Sequence, residues 1–243
     1  MMKIEDKKMD KFKLLICDDD ADIRGALKIY LTGAGYDIVE AENGKEAVEI
    51  AQKEDIQLIL MDVMMPVLDG IMAAVRIREF SNVPIIFLSA KTEDSDRILG
   101  LEMGGDDYIT KPFIPGELFA RVKSALRRYS KLGGVTGEIE TGKNVYQTGD
   151  LVVDDNKKLV TLDGETVDLT ALEYNILKLM ASHLDSVFSS EHIYESVWEE
   201  PAFDTNKTVS VHIRHIREKI EANPKEPKYL KVVYGLGYKV VKI

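Results

Sequence analysis

Short apolar runs alternate with helical patterns along residues 12–128, the pattern of a sheet covered by helices. The three stretches DIRGALKIYLTGAG, NGKEAVEIAQKED and DSDRILGLEMGG have apolar residues three to four positions apart and end in or near glycine, as helices do. Strands that alternate with such helices form parallel sheets, with helices on both faces. We therefore predict an α/β fold with a doubly wound, five-stranded parallel sheet, whose strands are LLIC (14–17), YDIVEA (36–41), LILM (58–61), PIIFL (84–88) and YIT (108–110).

The second half of the chain follows a different pattern. Short β-like pieces broken by Asp-Asn and Asp-Gly turns predict a small antiparallel sheet. Helical patterns follow at about 171–183, 190–198 and 206–221, and the C-terminal stretch predicts a hairpin that turns at Gly235–Gly237. A Gly- and Thr-rich stretch separates the halves. We predict a disordered N-terminal extension, an α/β domain, a linker and a C-terminal α+β domain, at 1–11, 12–130, 131–147 and 148–243.

Composition narrows the classes of function only slightly. The 243 residues are enough for two domains, and a net charge of -10 argues against a uniformly basic surface but leaves room for a local basic face. The one cysteine, Cys17, excludes an internal disulfide and a multi-cysteine zinc site. The chain has no long apolar stretch, and its N-terminus is charged and lacks an apolar signal core. We expect a cytoplasmic protein with no membrane partner.

Polar side chains follow four of the predicted strands, each at the strand's carboxyl end. Carboxyl ends of parallel strands share one edge of the sheet, where ligands bind. Neighbouring carboxylates repel one another unless a cation neutralises them, and oxygen ligands favour Mg²⁺. A lysine and a hydroxyl opposite such a metal would bind phosphoryl oxygens, and an aspartate can act as the nucleophile. The sequence therefore predicts a Mg²⁺-dependent phosphoryl-transfer site formed by Asp18, Asp19, Asp62, Ser89 and Lys111.

The third aspartate of the DDD run has two interpretations. Asp20 precedes a helical pattern and is well placed to cap that helix, and a direct metal role is the alternative. The run also contains the Asp-x-Asp spacing of phosphatases that use an aspartyl nucleophile, which is a rival class of protein. In that class the motif continues with Gly-Thr, whereas this chain continues with Ala21-Asp22.

The four stretches LLICDDD, LILMDVMMPVLDG, FLSA and DDYITKPF together resemble the receiver domain of two-component response regulators. The resemblance covers residues 12–128 and implies that a histidine kinase transfers a phosphoryl group to Asp62. It implies that Mg²⁺ is held by Asp18, Asp19, Asp62 and the backbone carbonyl of Met64. It assigns phosphate pairing and switching to Ser89, Tyr108 and Lys111, and a cis peptide to Pro112. Such a protein is not a metabolic enzyme, although it can slowly dephosphorylate itself.

One helical pattern in the second half carries a basic face. Val209, Ile213, Ile216 and Ile220 form an apolar stripe, and Lys207, Val211 and Arg214 lie opposite, with His215 on one flank. This arrangement suits a helix whose cationic face enters a major groove, although an ordinary solvated face gives the same pattern.

Residues 148–243 resemble the winged helix-turn-helix effector domains of the OmpR/PhoB family in LTALEYNILKLMASH, SSEHIYESVW, KTVSVHIRHIREKI and YLKVVYGLGYKV. Many relatives carry Asp, Arg and Arg where this chain has Ser210, His215 and Tyr234. The HIRHIREK run looks most like the vancomycin-resistance regulators. The resemblance implies binding of double-stranded promoter DNA through Lys207, Ser210, His212, Arg214, His215, Arg217, Tyr234 and Lys239.

The resemblance also implies partners. Phosphorylation would favour a homodimer through the fourth helix, fifth strand and fifth helix of the receiver, and RNA polymerase would meet the loop at 199–206. The rival hypothesis is a DNA-binding module whose receiver is a relic, controlled only by expression level. The charged residues of the predicted dimer face are Arg97, Glu102, Asp106, Asp107, Glu117, Arg121 and Arg128.

Overall fold

The computed structural model describes residues 12–90, 100–133, 144–201 and 206–243, so the predicted extension at 1–11 lies outside it. The first unit contains a parallel sheet with strand order β2-β1-β3-β4-β5. This confirms the predicted five-stranded parallel sheet. The strands are β1 (Lys13–Cys17), β2 (Asp37–Ala41), β3 (Leu58–Asp62), β4 (Ile85–Ser89) and β5 (Asp107–Thr110).

Helices cover both faces of this sheet. Side chains of β1 and β3 alternate between two apolar clusters, with Leu14 and Leu58 in one cluster and Leu15 and Ile59 in the other. Because both faces are buried, the strands show continuous apolar runs instead of alternation. The helices are α1 (Ala21–Gly33), α2 (Gly44–Lys53), α3 (Gly70–Arg78), α4, whose described residues are 100–102, and α5 (Pro115–Gly133).

Side-chain caps fix where three of these helices begin. Asp20 accepts hydrogen bonds from the backbone N–H groups of Asp22 and Ile23, which confirms its predicted capping role. Asn43 and Asp69 cap α2 and α3 in the same way. The first turn of α1 is thereby fixed shortly after β1, which ends at Cys17 next to Asp18.

A glycine lets α3 start against the end of β3. A Cβ atom at Gly70 would lie 1.9 Å from the backbone oxygen of Asp62, so no larger residue fits without moving the strand end. The Gly70 N–H donates to the Val63 carbonyl at 3.0 Å. Packing of α3 therefore holds the backbone of Asp62 in place.

The second unit has the predicted antiparallel strands, three helices and C-terminal hairpin. Its helices pack around an apolar cluster that includes Trp198, Ile213 and Leu230. Helix α5 continues to Gly133 and the first strand of this unit begins at Val145, so the linker predicted at 131–147 overlaps both elements. The elements are β6 (Val145–Thr148), β7 (Leu151–Asp154), β8 (Leu159–Leu162), β9 (Glu165–Thr166), α6 (Ala171–Ala181), α7 (Ser190–Trp198), α8 (Asn206–Ile220), β10 (Leu230–Val233) and β11 (Gly237–Val240).

Within the described ranges, none of the helices has the length and apolar character needed to cross a membrane.

Candidate functional site

Three of the predicted pocket residues meet at the carboxyl edge of the parallel sheet. The ammonium of Lys111 donates to Asp18 Oδ2 and to Asp62 Oδ1, each at 2.6 Å. Both aspartates are buried, at 1% and 5% exposure, and Ser89 is buried at the end of the neighbouring strand. The peptide bond between Lys111 and Pro112 is cis, as the resemblance implied. One cation thus bridges two carboxylates from strands β1 and β3.

Backbone N–H groups orient the other oxygen of each carboxylate. Asp62 Oδ2 accepts from the Met64 N–H at 2.8 Å, and Asp18 Oδ1 accepts from the Asp20 N–H at 3.0 Å. Each carboxylate is therefore held from both sides, by Lys111 and by the loop after its own strand.

Burial sets the electrostatics of this pocket. Burial raises the pKa of the Asp62 carboxyl above its usual value, and the hydrogen bond and charge of Lys111 offset only part of that rise. Burial alone would lower the pKa of the Lys111 amine, but its hydrogen bonds to Asp18 and Asp62 outweigh burial and raise it. Lys111 is therefore held in its charged form, beside a carboxylate that is more basic than usual.

Asp19 stands apart from the other two acids. Its side chain is exposed, whereas Asp18 and Asp62 are buried. In the part of the chain that the structure describes, no group of three His, Cys, Asp or Glu side chains is arranged to hold a metal. The structure brings Asp18, Asp62 and Lys111 together and leaves Asp19 at the rim.

Arg24 is a pocket residue that the sequence analysis missed. Its guanidinium donates to the carbonyls of Asp18 and Asp19 at 2.8 and 3.1 Å, and it pairs with Glu42 at 2.8 Å. Only 9% of Arg24 is exposed. One sequence feature could have identified Arg24. It lies in the first turn of α1, and this helix begins directly after the aspartates and packs on the sheet.

Tyr108 is already buried in this structure. It packs in the same apolar cluster as Phe87 and is 5% exposed. The switching role that the resemblance assigns to Tyr108 therefore starts from a side chain that is already turned inwards.

The basic helix of the second unit is α8. Val209, Ile213, Ile216 and Ile220 are all buried, which confirms the apolar stripe. Val211, placed on the opposite face by the sequence analysis, is only 4% exposed, so that expectation was wrong. The structure buries this flank of the helix as well as the stripe, because the helix is enclosed on a second side.

The first unit provides that second side. Arg214 Nη1 lies 2.7 Å from Glu102 Oε1, and the imidazole Nε2 of His215 lies 3.1 Å from the Glu102 carbonyl. His212 is 2% exposed and its Nε2 atom has no hydrogen-bond partner among the described residues. Three residues predicted to contact DNA therefore face the receiver-like unit or lie buried beside it.

Helix α5 makes the other half of this contact. The Ser124 hydroxyl donates to the Trp198 carbonyl at 2.6 Å, and Arg127 pairs with Glu199 at 3.0 Å. Arg121 pairs with Asp107 at 2.9 Å and lies 3.4 Å from the Tyr194 hydroxyl. The acid of Asp107 raises the pKa of the Arg121 guanidinium. Three residues of the predicted dimer face thus contact α7 or α8, namely Glu102, Arg121 and Arg128.

Other predicted DNA-binding residues have local roles in this structure. Arg217 Nε donates to the Leu230 carbonyl at 2.9 Å, which ties α8 to the hairpin, and burial lowers the pKa of its guanidinium. The Ser210 hydroxyl donates to the Lys207 carbonyl, and Lys239 pairs with Asp185. Tyr234 is 91% exposed at the tip of the hairpin. Lys207 is exposed on the first turn of α8.

The remaining predicted dimer residues divide into three cases. Asp106 pairs with Arg78 at 2.7 Å and accepts from the Ile85 N–H, so it braces the receiver-like unit internally. Glu117 pairs with Arg121 along α5. Arg97 lies outside the described residues.

Comparisons with known proteins agree with both units. The family described as "Response regulator receiver domain" matches residues 14–123, and "Transcriptional regulatory protein, C terminal" matches 164–240. "Regulatory protein VanR" of Enterococcus faecium is 40% identical over 231 residues, which cover 95% of this chain and 99% of VanR. "Transcriptional regulatory protein ResD" of Bacillus subtilis is 42% identical over 228 residues, which cover 93% of this chain and 95% of ResD.

Together, the α/β sheet, the pocket at its edge and the winged-helix unit define a two-domain response regulator. This chain belongs to the OmpR/PhoB-type response regulators, which join a receiver domain to a DNA-binding transcriptional regulatory domain. It is a transcriptional regulator and not a metabolic enzyme. The solved structure of a RitR mutant is similar across 96% of this chain and all of that chain, with a TM-score of 0.73 at 24% identity, which supports the fold alone.

Proposed function

We propose that the receiver domain accepts a phosphoryl group on Asp62 from a histidine kinase. The pocket geometry carries this proposal: Lys111 lies 2.6 Å from the Asp62 carboxylate, and the Met64 N–H fixes that carboxylate from the other side. An Asp62 oxygen attacks phosphorus, and the bond from phosphorus to the kinase's histidine nitrogen breaks. Lys111 then pairs with the phosphoryl oxygens, and Ser89 binds one of them from the end of β4.

The donor set of the pocket fits Mg²⁺. Two buried carboxylates face one another across a single ammonium, and all the atoms available as metal ligands are oxygens. Asp18, Asp62, the Met64 carbonyl and the exposed Asp19 would hold the ion, with water completing its shell. When bound, the ion supplies neutralisation of phosphoryl charge.

We further propose that the contact between the two domains is the resting state. Arg214 and His215 cannot enter a DNA groove while they contact Glu102, and the face predicted for dimerisation is covered at the same time. Phosphorylation of Asp62 favours release of this face, symmetric dimerisation through it, and binding of promoter DNA by paired α8 helices. Contact of RNA polymerase with 199–206 remains a proposal; Glu199 and Glu200 of that stretch face Arg127 and Arg121 here.

A small phosphodonor tests the phosphoacceptor directly. Intact mass after treatment with acetyl phosphate and Mg²⁺ should rise by one phosphoryl group in the wild type and not in Asp62→Asn. Asp69→Asn is the matched control, because Asp69 only caps α3. Label mapped to Asp18 would instead support the aspartyl-phosphatase class.

The relic-receiver hypothesis needs a cellular test. Asp62→Asn expressed at the wild-type level should abolish regulation of a target promoter. Full activity of that variant would mean that the receiver has no signalling role. Sedimentation with and without phosphodonor reports the dimer, and an unchanged monomer fraction on phosphorylation would contradict the proposed switch.

A further inference from the structure

A second cavity lies between the two domains, away from the phosphoacceptor pocket. It has a volume of about 210 Å³ and is formed by helices α5, α6 and α7. This volume is below that of a typical drug-sized site but holds far more than one water molecule. Its charged lining residues are Arg127, Arg128, Lys131, Lys178 and Glu199.

The lining is strongly cationic in a chain whose net charge is -10. Four of its side chains carry a positive charge and one carries a negative charge. Glu199 is already paired with Arg127 at 3.0 Å, and Lys178 is paired with Asp155 at 2.8 Å. The cavity therefore has an excess of cations that its own carboxylate does not neutralise.

Arg128 is the least compensated of these cations. It is 6% exposed, and its hydrogen bond within the described ranges goes to the neutral hydroxyl of Ser124, at 2.6 Å. Its guanidinium also lies over the Trp198 ring, 5.8 Å from the centroid. Burial lowers its pKa, and the carboxylates of Asp107, Asp106 and Glu200 oppose this only in part. A buried guanidinium with a neutral partner is costly, and an anion beside it would offset that cost.

The Ser124 hydroxyl, which contacts both arginines, has no free hydrogen-bonding position. Ser124 donates its proton to the Trp198 carbonyl and accepts from both Arg127 and Arg128. A serine hydroxyl has one donor and two acceptor positions, so all are used. The Nε atom of Arg127 is buried and has no hydrogen-bond partner in the described part of the chain. Among the described residues, Arg127 Nε therefore lacks a partner and Arg128 donates to a neutral group, and an anion in the cavity would satisfy both.

We propose that this cavity binds a small phosphorylated anion, held by Arg127, Arg128 and Lys131, and that binding clamps the two domains together. Guanidinium groups match phosphate oxygens in charge and geometry, and a buried site strengthens each charged hydrogen bond. The ligand touches α5 of the receiver and helices α6 and α7 of the effector domain, so it stabilises the contact that covers α8. The site is present in the unphosphorylated protein and uses none of the residues of the Asp62 pocket.

Trp198 provides a local reporter for the test. It is the one tryptophan of the chain, is 1% exposed, and lies against Arg128. The unphosphorylated full-length protein is titrated with inorganic phosphate, pyrophosphate and glycerol 3-phosphate, with sodium chloride and sulfate at matched ionic strength. A saturable fluorescence change with at least one phosphorylated probe is expected. The three probes distinguish free inorganic phosphate from a phosphate ester as the source.

Variants on one helix provide matched controls. Arg128→Gln should weaken binding about tenfold, because it removes a charged hydrogen bond. Lys131→Gln, at an exposed position that is safe for folding, should weaken it severalfold. Lys123→Gln removes the same charge from an exposed position of α5 outside the cavity and should leave binding unchanged.

Several outcomes would overturn the site. They are a non-saturable response, an equal response to sulfate, tighter binding of an acidic peptide, or equal losses in Lys131→Gln and Lys123→Gln. If Arg128→Gln fails to fold, the difference in anion affinity between Lys131→Gln and Lys123→Gln tests the site instead. The clamp has its own readout: saturating anion should slow amide hydrogen exchange in α8, which does not line the cavity. If saturating anion leaves hydrogen exchange in α8 unchanged, the proposed clamping of the two domains is wrong.

Discussion

Arg214 on α8 and Glu102 of the receiver form an ion pair at 2.7 Å. The sequence assigns the first residue to DNA and the second to a receiver dimer. In the structure the two side chains are paired with one another, so this one contact involves a residue from each predicted surface. Under the proposed resting state, opening of this contact would free both residues at once.

Removing the charge of Glu102 should open this contact partly. Glu102→Gln should raise the DNA affinity of the unphosphorylated protein by up to about fivefold, because a half-exposed ion pair contributes about 0–1 kcal/mol. Fluorescence anisotropy with labelled promoter DNA measures the change. Glu79→Gln, at an exposed position on the receiver, is the charge-matched control. Equal affinities for wild type and Glu102→Gln would mean that this pair does not limit access to α8.

Arg214 and Lys207 of α8 should have different roles in DNA recognition. Arg214→Ala should relax the preference for promoter over competitor DNA, because base contacts carry sequence information. Lys207→Ala should weaken binding to all sequences about equally and reduce the slope of affinity against salt by about one, because we expect Lys207 to contact a DNA phosphate. The ratio of the two affinities is the informative quantity, since domain opening changes both affinities alike. An unchanged ratio in Arg214→Ala would contradict the orientation of α8 drawn here.

Loss of the bridging lysine should destabilise the receiver. Lys111→Met leaves Asp18 and Asp62 facing one another in a buried pocket, at a cost of about 3 kcal/mol in the free energy of unfolding. Urea unfolding in EDTA measures this cost. Millimolar Mg²⁺, or a second change of Asp62→Asn, should restore part of it. Lys53→Met, at the exposed end of α2, should have little effect. Full stability of Lys111→Met in EDTA would show that the two carboxylates do not repel significantly.

His212 should make stability depend on pH. Burial lowers its pKa to about 4 from 6.5, so the folded protein holds it neutral while the unfolded chain binds a proton. Its contribution is complete above pH 6.5 and is lost as the pH falls from about 6.5 to about 4. Between pH 7.5 and 5.5 the wild type should lose about 1 kcal/mol more than His212→Gln, with exposed His192→Gln as control. Identical losses in wild type and His212→Gln would show that His212 is not buried as a neutral group.

Local patterns predicted the parts of the pocket well. Continuous apolar runs indicated strands buried on both faces, and the polar residues after them lie at one edge as expected. The cap by Asp20 followed from its position before a helical pattern. Helix α3 was missed because apolar residues occur at Ile71–Val75 without a polar break, which hides the helical period.

Contacts between the domains could not be predicted in this way. His212 is buried beside Asp106 of the receiver, which is far away in sequence, and periodicity within α8 contains no information about this neighbour. The pairing of Arg214 with Glu102 joins residues 112 positions apart. Arg24 was missed for a related reason: the partners that place it at the pocket are the backbone carbonyls of Asp18 and Asp19, which leave no trace in the pattern of side chains.

Closure of the two domains is a reaction within one chain, whereas dimerisation needs a second molecule. The receiver face therefore meets its own α8 at an effective concentration on the order of millimolar, set by the connection between the units. A second receiver domain, at its cellular concentration, must compete for this face with the α8 helix of the same chain. Under the proposed switch, promoter occupancy depends on expression level as well as phosphorylation, and it should rise with the amount of protein through a threshold rather than in simple proportion.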